Sequence, residues 1–250
     1  MKTTRLLFFF LLVSVLILTS CGEDEDATCN DGIQNGTETG VDCGGTCPAC
    51  VFACGSTITD IDGNVYNTVT IGTQCWMKEN LKTSKYNDGT SITTGLSNDA
   101  WVNTSTGAYS IYDNNDANNT TYGKLYNWYT VNTGKLCPTG WHIPSNVEWT
   151  LLVDFLGGEA EAGGKMKSTI GWLAPNTGAT NSSGFTGLSG SARNNGSGIY
   201  GGLSYYGYWW SNMVFNADVA FSMYLTHNKS EAELNPYDKG SGFSCRCIKD

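Results

Sequence analysis

The stretch "LCPTGWHIPSNVEW", residues 136–149, carries the clearest local instruction in the chain. Ser145-Asn146-Val147-Glu148 follows Pro144 and forms a capping box. In such a box the serine hydroxyl accepts the backbone N–H three residues on, and the glutamate carboxylate accepts the serine's own N–H. The spacing predicts a helix starting at Ser145. Val147, Leu151, Leu152 and Phe155 recur at helical intervals, and Gly157-Gly158 stops the run. His142, beside Trp141 and Ile143, reads as a packed residue rather than a general base, because nothing nearby completes a charge relay.

Outward from this helix the pattern is one of strands and turns. "TDIDGNVYNTVTIGTQCWMKENL", residues 59–81, reads as a hairpin turned at Asp62-Gly63, with Val65, Tyr66, Val69 and Ile71 on its faces and Trp76 as an anchor. Asp60-x-Asp62-x-Asn64 imitates the start of a calcium loop, but its glycine is misplaced and no acidic residue closes it. "YGKLYNWYTV", residues 122–131, puts Tyr122, Leu125, Tyr126 and Tyr129 on one helical or irregular face. "GYWWSN", "FSMYL" and "GFSCRCIKD" read as strands between glycine-rich loops. Gly196-x-Gly198-x-x-Gly201 lies in an Asn/Gly/Ser loop rather than between strand and helix, so it is a turn and not a dinucleotide site.

The N-terminus reads differently. Lys2 and Arg5 precede an almost wholly apolar run from Leu6 to Leu18, the order of a secretory signal. Leu18-Thr19-Ser20-Cys21 resembles the lipobox of bacterial lipoproteins, which implies cleavage after residue 20 and acylation of Cys21. Several acyl chains make a stable anchor at about 0.8 kcal/mol per buried methylene. Glu23-Asp24-Glu25-Asp26 resembles the acidic signal that sends some lipoproteins of Gram-negative bacteria to the cell surface. The expected localisation is therefore the outer membrane, surface-exposed, with the membrane as a partner through Cys21. Removing Lys2 and Arg5 leaves twelve basic residues against 23 acidic, a net charge of −11. That balance argues against nucleic acid as a partner.

Cysteines divide what remains. "CNDGIQNGTETGVDCGGTCPAC", residues 29–50, is too small to own a core and must be stapled. Cys29, Cys43, Cys47 and Cys50 allow three pairings among themselves. Cys54, Cys75, Cys137 and Cys247 are the other disulfide candidates, since an exported chain oxidises its thiols. Cys47-Pro48-Ala49-Cys50 has oxidoreductase spacing but no βαβ setting, so a structural role is favoured. Asp31, Asn35, Glu38 and Asp42 offer oxygens to calcium, although turn formation explains the same residues; no other cofactor is implied.

Taken in order, "DIDGNVYNTVTIGTQCWMKENLKTSKYNDGT", "YGKLYNWYTV", "LCPTGWHIPSNVEW", "GGKMKS", "NSSGFTGL", "GYWWSN" and "GFSCRCIKD" resemble the Fibrobacter succinogenes major paralogous domain. "WHIPSNVEW" and "GFSCRC" also resemble landmarks of the formylglycine-generating enzymes, whose fold is a variant of the C-type lectin fold. The resemblance implies an α+β, C-type lectin-like (sulfatase-modifying-factor-like) domain of small antiparallel sheets, one or two helices and long loops, with its two ends paired. The resulting organisation is a signal peptide over 1–20, an acidic tether over 21–28, a cysteine-rich module over 29–50 and the domain over 51–250. Cys245 and Cys247, at i and i+2, point to one face of a strand, where one reaches Cys137 and the other is free or paired elsewhere; Cys247 is the expected partner. The enzymes place their two copper-binding cysteines four residues apart, so this spacing argues against that catalysis. The calcium loops of sugar-binding lectins are missing as well.

What is left is a surface rich in aromatic and small polar residues. In "SYYGYWW" a strand must point large rings to both faces, and only one face can meet the core. Tyr205, Tyr206, Tyr208 and Trp209 are therefore the candidate binding residues, for an extracellular glycan or protein. The expected function is a non-catalytic binding or adhesion module. The alternative is a structural or assembly component of a surface appendage. Cys21→Ala is expected to abolish membrane retention without unfolding the domain, measured by detergent-phase fractionation beside a melting curve.

Overall fold

The computed structural model describes residue 29 and residues 33–38, 43–47 and 52–250. The signal peptide, Cys21, the acidic tether, Asp31, Asp42 and Cys50 lie outside the described residues. The chain divides into two units, Met1–Phe52 and Ala53–Asp250. In the first unit Cys29 is bonded to Cys47, and Cys43 is also disulfide-bonded.

The second unit begins with the expected hairpin, β1 (Thr57–Thr59) and β2 (Val65–Ile71), followed by β3 (Gln74–Met77). The acidic turn works internally. Asp60 Oδ1 accepts the backbone N–H groups of Asp62 and Asn64, and Asp60 Oδ2 accepts the Tyr66 hydroxyl at 2.6 Å. Gly63 turns the chain at φ +83°, where a side chain would be strained. Then follow α1 (Asn98–Val102), β4 (Tyr109–Ser110), α2 (Asp116–Tyr122), β5 (Leu125–Tyr126), α3 (Trp128–Val131), β6 (Trp141–His142), α4 (Asn146–Phe155) and α5 (Glu159–Met166). The last third is strand-rich: β7 (Ala192–Arg193), β8 (Tyr200–Gly201), β9 (Tyr206–Val214), β10 (Val219–Thr226), β11 (Glu233–Asp238) and β12 (Ile248–Lys249).

The strands make a five-stranded sheet in the order β1-β2-β3-β12-β6, a three-stranded sheet β11-β10-β9, and the pairs β4-β5 and β7-β8. The architecture is mixed helix and sheet, with small antiparallel sheets. Its two ends do pair: Ile248 of β12 lies between Trp76 of β3 and His142 of β6. Cys137–Cys247 clamps the same place, across a separation of 110 residues, and Cys54–Cys75 ties the first strands. A closed loop of that length is worth about 4.7 kcal/mol in the chain-entropy account. Cys245 is free and buried.

Three expectations need correction. Among the described residues the domain has five α-helices against an expected one or two, because Ser97, Asn115 and Asn127 each cap a short helix by accepting a backbone N–H. "YGKLYNWYTV" is not one face but the end of α2, then β5, then α3. The third correction concerns α4. Its capping box is present, with Ser145 N–H donating to Glu148 Oε2 at 2.7 Å and Glu148 N–H donating to Ser145 Oγ at 3.3 Å. But Val147, Leu151 and Phe155 are 68%, 53% and 65% exposed. Trp149, Leu152, Val153 and Leu156 face inward instead. The helix carries two apolar rows, and the broader i, i+3, i+4, i+7 row is the one the core takes.

The core explains why. Phe185, from "NSSGFTGL", meets three tryptophans edge-on: Trp76 at 5.9 Å, Trp149 at 5.9 Å and Trp209 at 5.7 Å. Arg246 lies over the Phe185 ring at 4.0 Å. Asn80 joins the same centre, accepting Trp209 Nε1–H at 2.8 Å and Arg246 Nη2–H at 2.6 Å. "GGKMKS" is a packing motif: a Cβ on Gly163 would sit 2.1 Å from the Glu231 carbonyl oxygen. Lys167 Nζ donates to the carbonyls of Thr177, Thr226 and Lys229, tying the loop at Thr177 to the end of β10 and the turn after it. Burial presses its pKa down to about 8.

Phe185→Ala is expected to cost about 3–5 kcal/mol, since it empties the meeting point of three rings. Phe155→Ala, on the exposed row, should cost less than about 1 kcal/mol. Urea unfolding of both variants beside the parent checks the contrast.

Candidate functional site

Alternation along β9 sets up the site. Tyr206, Tyr208 and Trp210 point to one face of the three-stranded sheet, and Gly207 and Trp209 to the other. Trp209 is opposite Met223 in the ladder, and both are buried in the main core. Trp209 is therefore removed from the candidate binding residues: its ring is sealed inside. On the other face Tyr208 is opposite Tyr224 on β10, and Tyr237 rises from β11.

These rings make a continuous array. Tyr208 stacks on Phe243 at 4.4 Å with planes 9° apart, and meets Tyr237 edge-on at 5.3 Å. Tyr224 lies 5.1 Å from Tyr208 and 5.9 Å from Tyr206. Tyr205 and Tyr206 are 44% and 37% exposed, more than a packed core ring needs. Tyr205 lies 6.1 Å from the Tyr206 ring and meets His227 edge-on at 5.2 Å. Burial, reinforced by the neighbouring tyrosines, pushes the Tyr208 hydroxyl well above its ordinary value and Tyr237 up to about 12. Both stay protonated at neutral pH and can donate as well as accept. Among the described residues the hydroxyls of Tyr206 and Tyr208 have no hydrogen-bond partner.

The array floors a cleft of about 550 Å³, lined by Tyr206, Tyr208, Tyr237 and Phe243 and walled by the β7–β8 hairpin and the loop between those strands. In that loop Asn194 Oδ1 accepts the N–H groups of Gly196 and Ser197, which fixes the turn. Arg193, on β7, is among the residues that line the cleft, and its guanidinium lies over Trp101 at 4.4 Å and Tyr200 at 5.0 Å. Asp238 also lines the cleft. Of the four binding candidates, Tyr206 and Tyr208 line this cleft. Tyr224, Tyr237, Phe243 and Arg193 were not singled out by the sequence. The period-two spacing of β11 could have pointed to Tyr237; Arg193 carries no local signal.

The other candidate ligands are placed as follows. Asn35 and Glu38 lie in the first unit, while Asp31 and Asp42 fall outside the described residues. Glu38 Oε2 accepts the Asn35 N–H at 3.2 Å, and Glu38 Oε1 lies 3.2 Å from Cys47 Sγ. Cys29, Glu38 and Cys47 come close enough to share a metal ion, but the two sulfurs are joined to each other and are not thiolates. The carboxylate thus supports its own turn.

His142 differs from the sequence reading. Two carboxylates do flank it: Nδ1 lies 2.6 Å from Asp250 Oδ1 and Nε2 lies 2.8 Å from Glu148 Oε1. With both ring nitrogens held, it clasps β6 to α4 and to Asp250. Burial opposes its charge, but the hydrogen bonds to Asp250 and Glu148 outweigh it and raise the pKa above 6.5. Burial likewise opposes ionisation of Glu148, yet the bonds from Ser145 and His142 hold its pKa below the usual 4.5.

A family model described as Fibrobacter succinogenes major domain matches residues 69–249, more than half of the chain. No curated protein and no solved structure matches. Among the described residues no helix is long and apolar enough to cross a membrane.

The His142 clasp stabilises the folded state fully below the unfolded imidazole pKa, and that contribution is lost as pH rises through the raised folded value. Thermal melts should show the parent losing about 0.5–1 kcal/mol more than His142→Gln between pH 6 and pH 9, a modest figure because the pair is partly exposed.

Proposed function

The chain belongs to the Fibrobacter succinogenes major domain family, and we propose that it is a surface-anchored bacterial lipoprotein whose domain is a non-catalytic binding or adhesion module. The tyrosine-lined cleft is its site, for a glycan or a protein partner. The observation that carries this reading is the ring array itself. The domain spends Tyr206, Tyr208, Tyr224 and Tyr237 on the face of a sheet that points away from the main core, and three of them, Tyr206, Tyr208 and Tyr237, line a cleft of about 550 Å³. Rigid rings with polar tips give large contact area at low entropic cost. Flat tyrosine faces suit sugar rings, and unpaired hydroxyls suit sugar hydroxyls. Anchoring rests on the lipobox-like sequence ending at Cys21.

We read the fold as a variant of the C-type lectin fold related to the formylglycine-generating enzymes. Support comes from the terminal strand β12 between β3 and β6, the capped helix α4 beside it, and the long loops. The enzymatic role is disfavoured. Cys247 is bonded to Cys137, and Cys245 is buried, with burial holding its thiol pKa well above the ordinary value. Two thiols for copper are therefore missing from this place. A second reading, a structural or assembly component of a surface appendage, draws on the exposed row Val147, Leu151 and Phe155, which offers an apolar ridge to another chain.

A glycan array probed with the detergent-solubilised full chain tests the first reading. Binding is expected, with affinity lowered about tenfold by Tyr206→Ala, or ~1.4 kcal/mol. Unchanged binding by that variant would remove the cleft from the proposal. Concentration-dependent self-association abolished by Phe155→Ser would favour the second reading.

A further inference from the structure

Arg193 is one of two arginines left once Arg5 is removed, and it is 1% exposed. Its Nε–H donates to the Gly198 carbonyl at 2.9 Å. Its Nη2 donates to the Leu96 carbonyl at 2.8 Å and to Asn98 Oδ1 at 3.4 Å. Every acceptor is neutral. Among the described residues Arg193 has no carboxylate within ion-pair distance, and its charge is met only by carbonyl dipoles and two aromatic faces. A charge taken out of water without a counter-charge is costly, and burial disfavours the charged guanidinium here.

The geometry leaves one edge unused. Nη1 makes no hydrogen bond among the described residues, yet it is not one of the fully buried unpaired atoms. Because Arg193 lines the cleft, that nitrogen and its two N–H groups are what the cation can offer to an occupant. A planar guanidinium held over Trp101 and Tyr200 is pre-organised, which suits a planar, charged acceptor. The same cleft is lined by Tyr206 and Tyr208, whose unpaired hydroxyls suit neutral hydroxyl groups. Asp238 also lines the cleft and would repel an anion bound beside it.

We infer that the cleft takes an acidic oligosaccharide, with the carboxylate of a uronic acid residue pairing with Arg193 and a sugar ring lying along Tyr206. The inference rests on the cleft being a binding site and adds the ligand's charge and its orientation. The chain's net charge of −9 means that long-range attraction does not deliver the anion; recognition is short-range and depends on the Arg193 edge.

The test uses the full chain in detergent and calorimetric titration with oligogalacturonate, oligomannuronate and glucuronate-substituted xylo-oligosaccharides, each also after chemical reduction of its carboxyl groups. At least one acidic oligosaccharide should bind, and its carboxyl-reduced form should bind about 10- to 100-fold more weakly, the range for a hydrogen bond to a charged group. Arg193→Lys should shrink that difference, whereas Tyr206→Ala should weaken both forms alike. Melting curves check that the variants fold, and the reduced ligands test the unaltered protein if they do not. Equal affinity for acidic and reduced forms overturns the carboxylate reading and leaves the cleft as a glycan site. Binding of neutral glycans alone does the same. No binding of any oligosaccharide overturns both.

Discussion

Everything in the second unit converges on the Phe185 ring. Trp76, Trp149 and Trp209 arrive from a hairpin, a helix and a late strand, separated by long stretches of chain, and meet it edge-on. Edge-to-face contacts place ring edges against ring faces, so each partner fixes the tilt of the next. The arrangement suits a chain poor in long aliphatic side chains. A few large rings do the work that many leucines do elsewhere, and each must be oriented.

Orientation creates a polar requirement. The Trp209 indole N–H needs a partner once buried, and Asn80 provides it while also taking a hydrogen bond from Arg246. Arg246 in turn spreads over Phe185 and Trp209 at 4.0 and 5.7 Å. A buried guanidinium is destabilising by itself, but here its faces meet rings, and Nη1 and Nη2 donate to the Phe185 carbonyl and Asn80 Oδ1, while Nε–H has no partner among the described residues. Both arginines of the domain follow this design. Arg246 does so against Phe185 and Trp209, and Arg193 does so against Trp101 and Tyr200.

The three-stranded sheet divides labour in the same way. Alternation along β9 sends Trp209 into the core and Tyr206 and Tyr208 to the outer face. Residues from distant parts of the chain then decide how far each outer ring is covered. Phe243 stacks on Tyr208 and lies tilted against Trp210, so the array is closed near its middle and open towards Tyr205 and Tyr206. The same terminal segment supplies Arg246, the Cys247 bridge and the Asp250 clasp on His142. The end of the chain thus holds the core, the sheet and one wall of the cleft together.

Local chemistry was legible from residues alone. The capping box at Ser145, the turn at Asp62-Gly63 and the two-sided aromatic strand each depend on atoms within a few residues, where backbone geometry leaves little choice. The family was legible too, because its motifs are the packing centre itself: Trp76, Trp149, Phe185, Trp209 and Arg246 each belong to one of the quoted stretches. The pairing of Cys137 with Cys247 was expected as well, and the structure has it. Two matters were not legible. Which apolar row of α4 is buried depended on Trp149 reaching Trp76, 4.8 Å away in space and 73 residues away in sequence. The cleft depended on Arg193, Tyr208, Tyr237 and Phe243 converging from four segments that carry no mutual signal. A sequence states its short-range preferences outright, whereas the choice among equivalent faces is made by partners that only folding brings within reach.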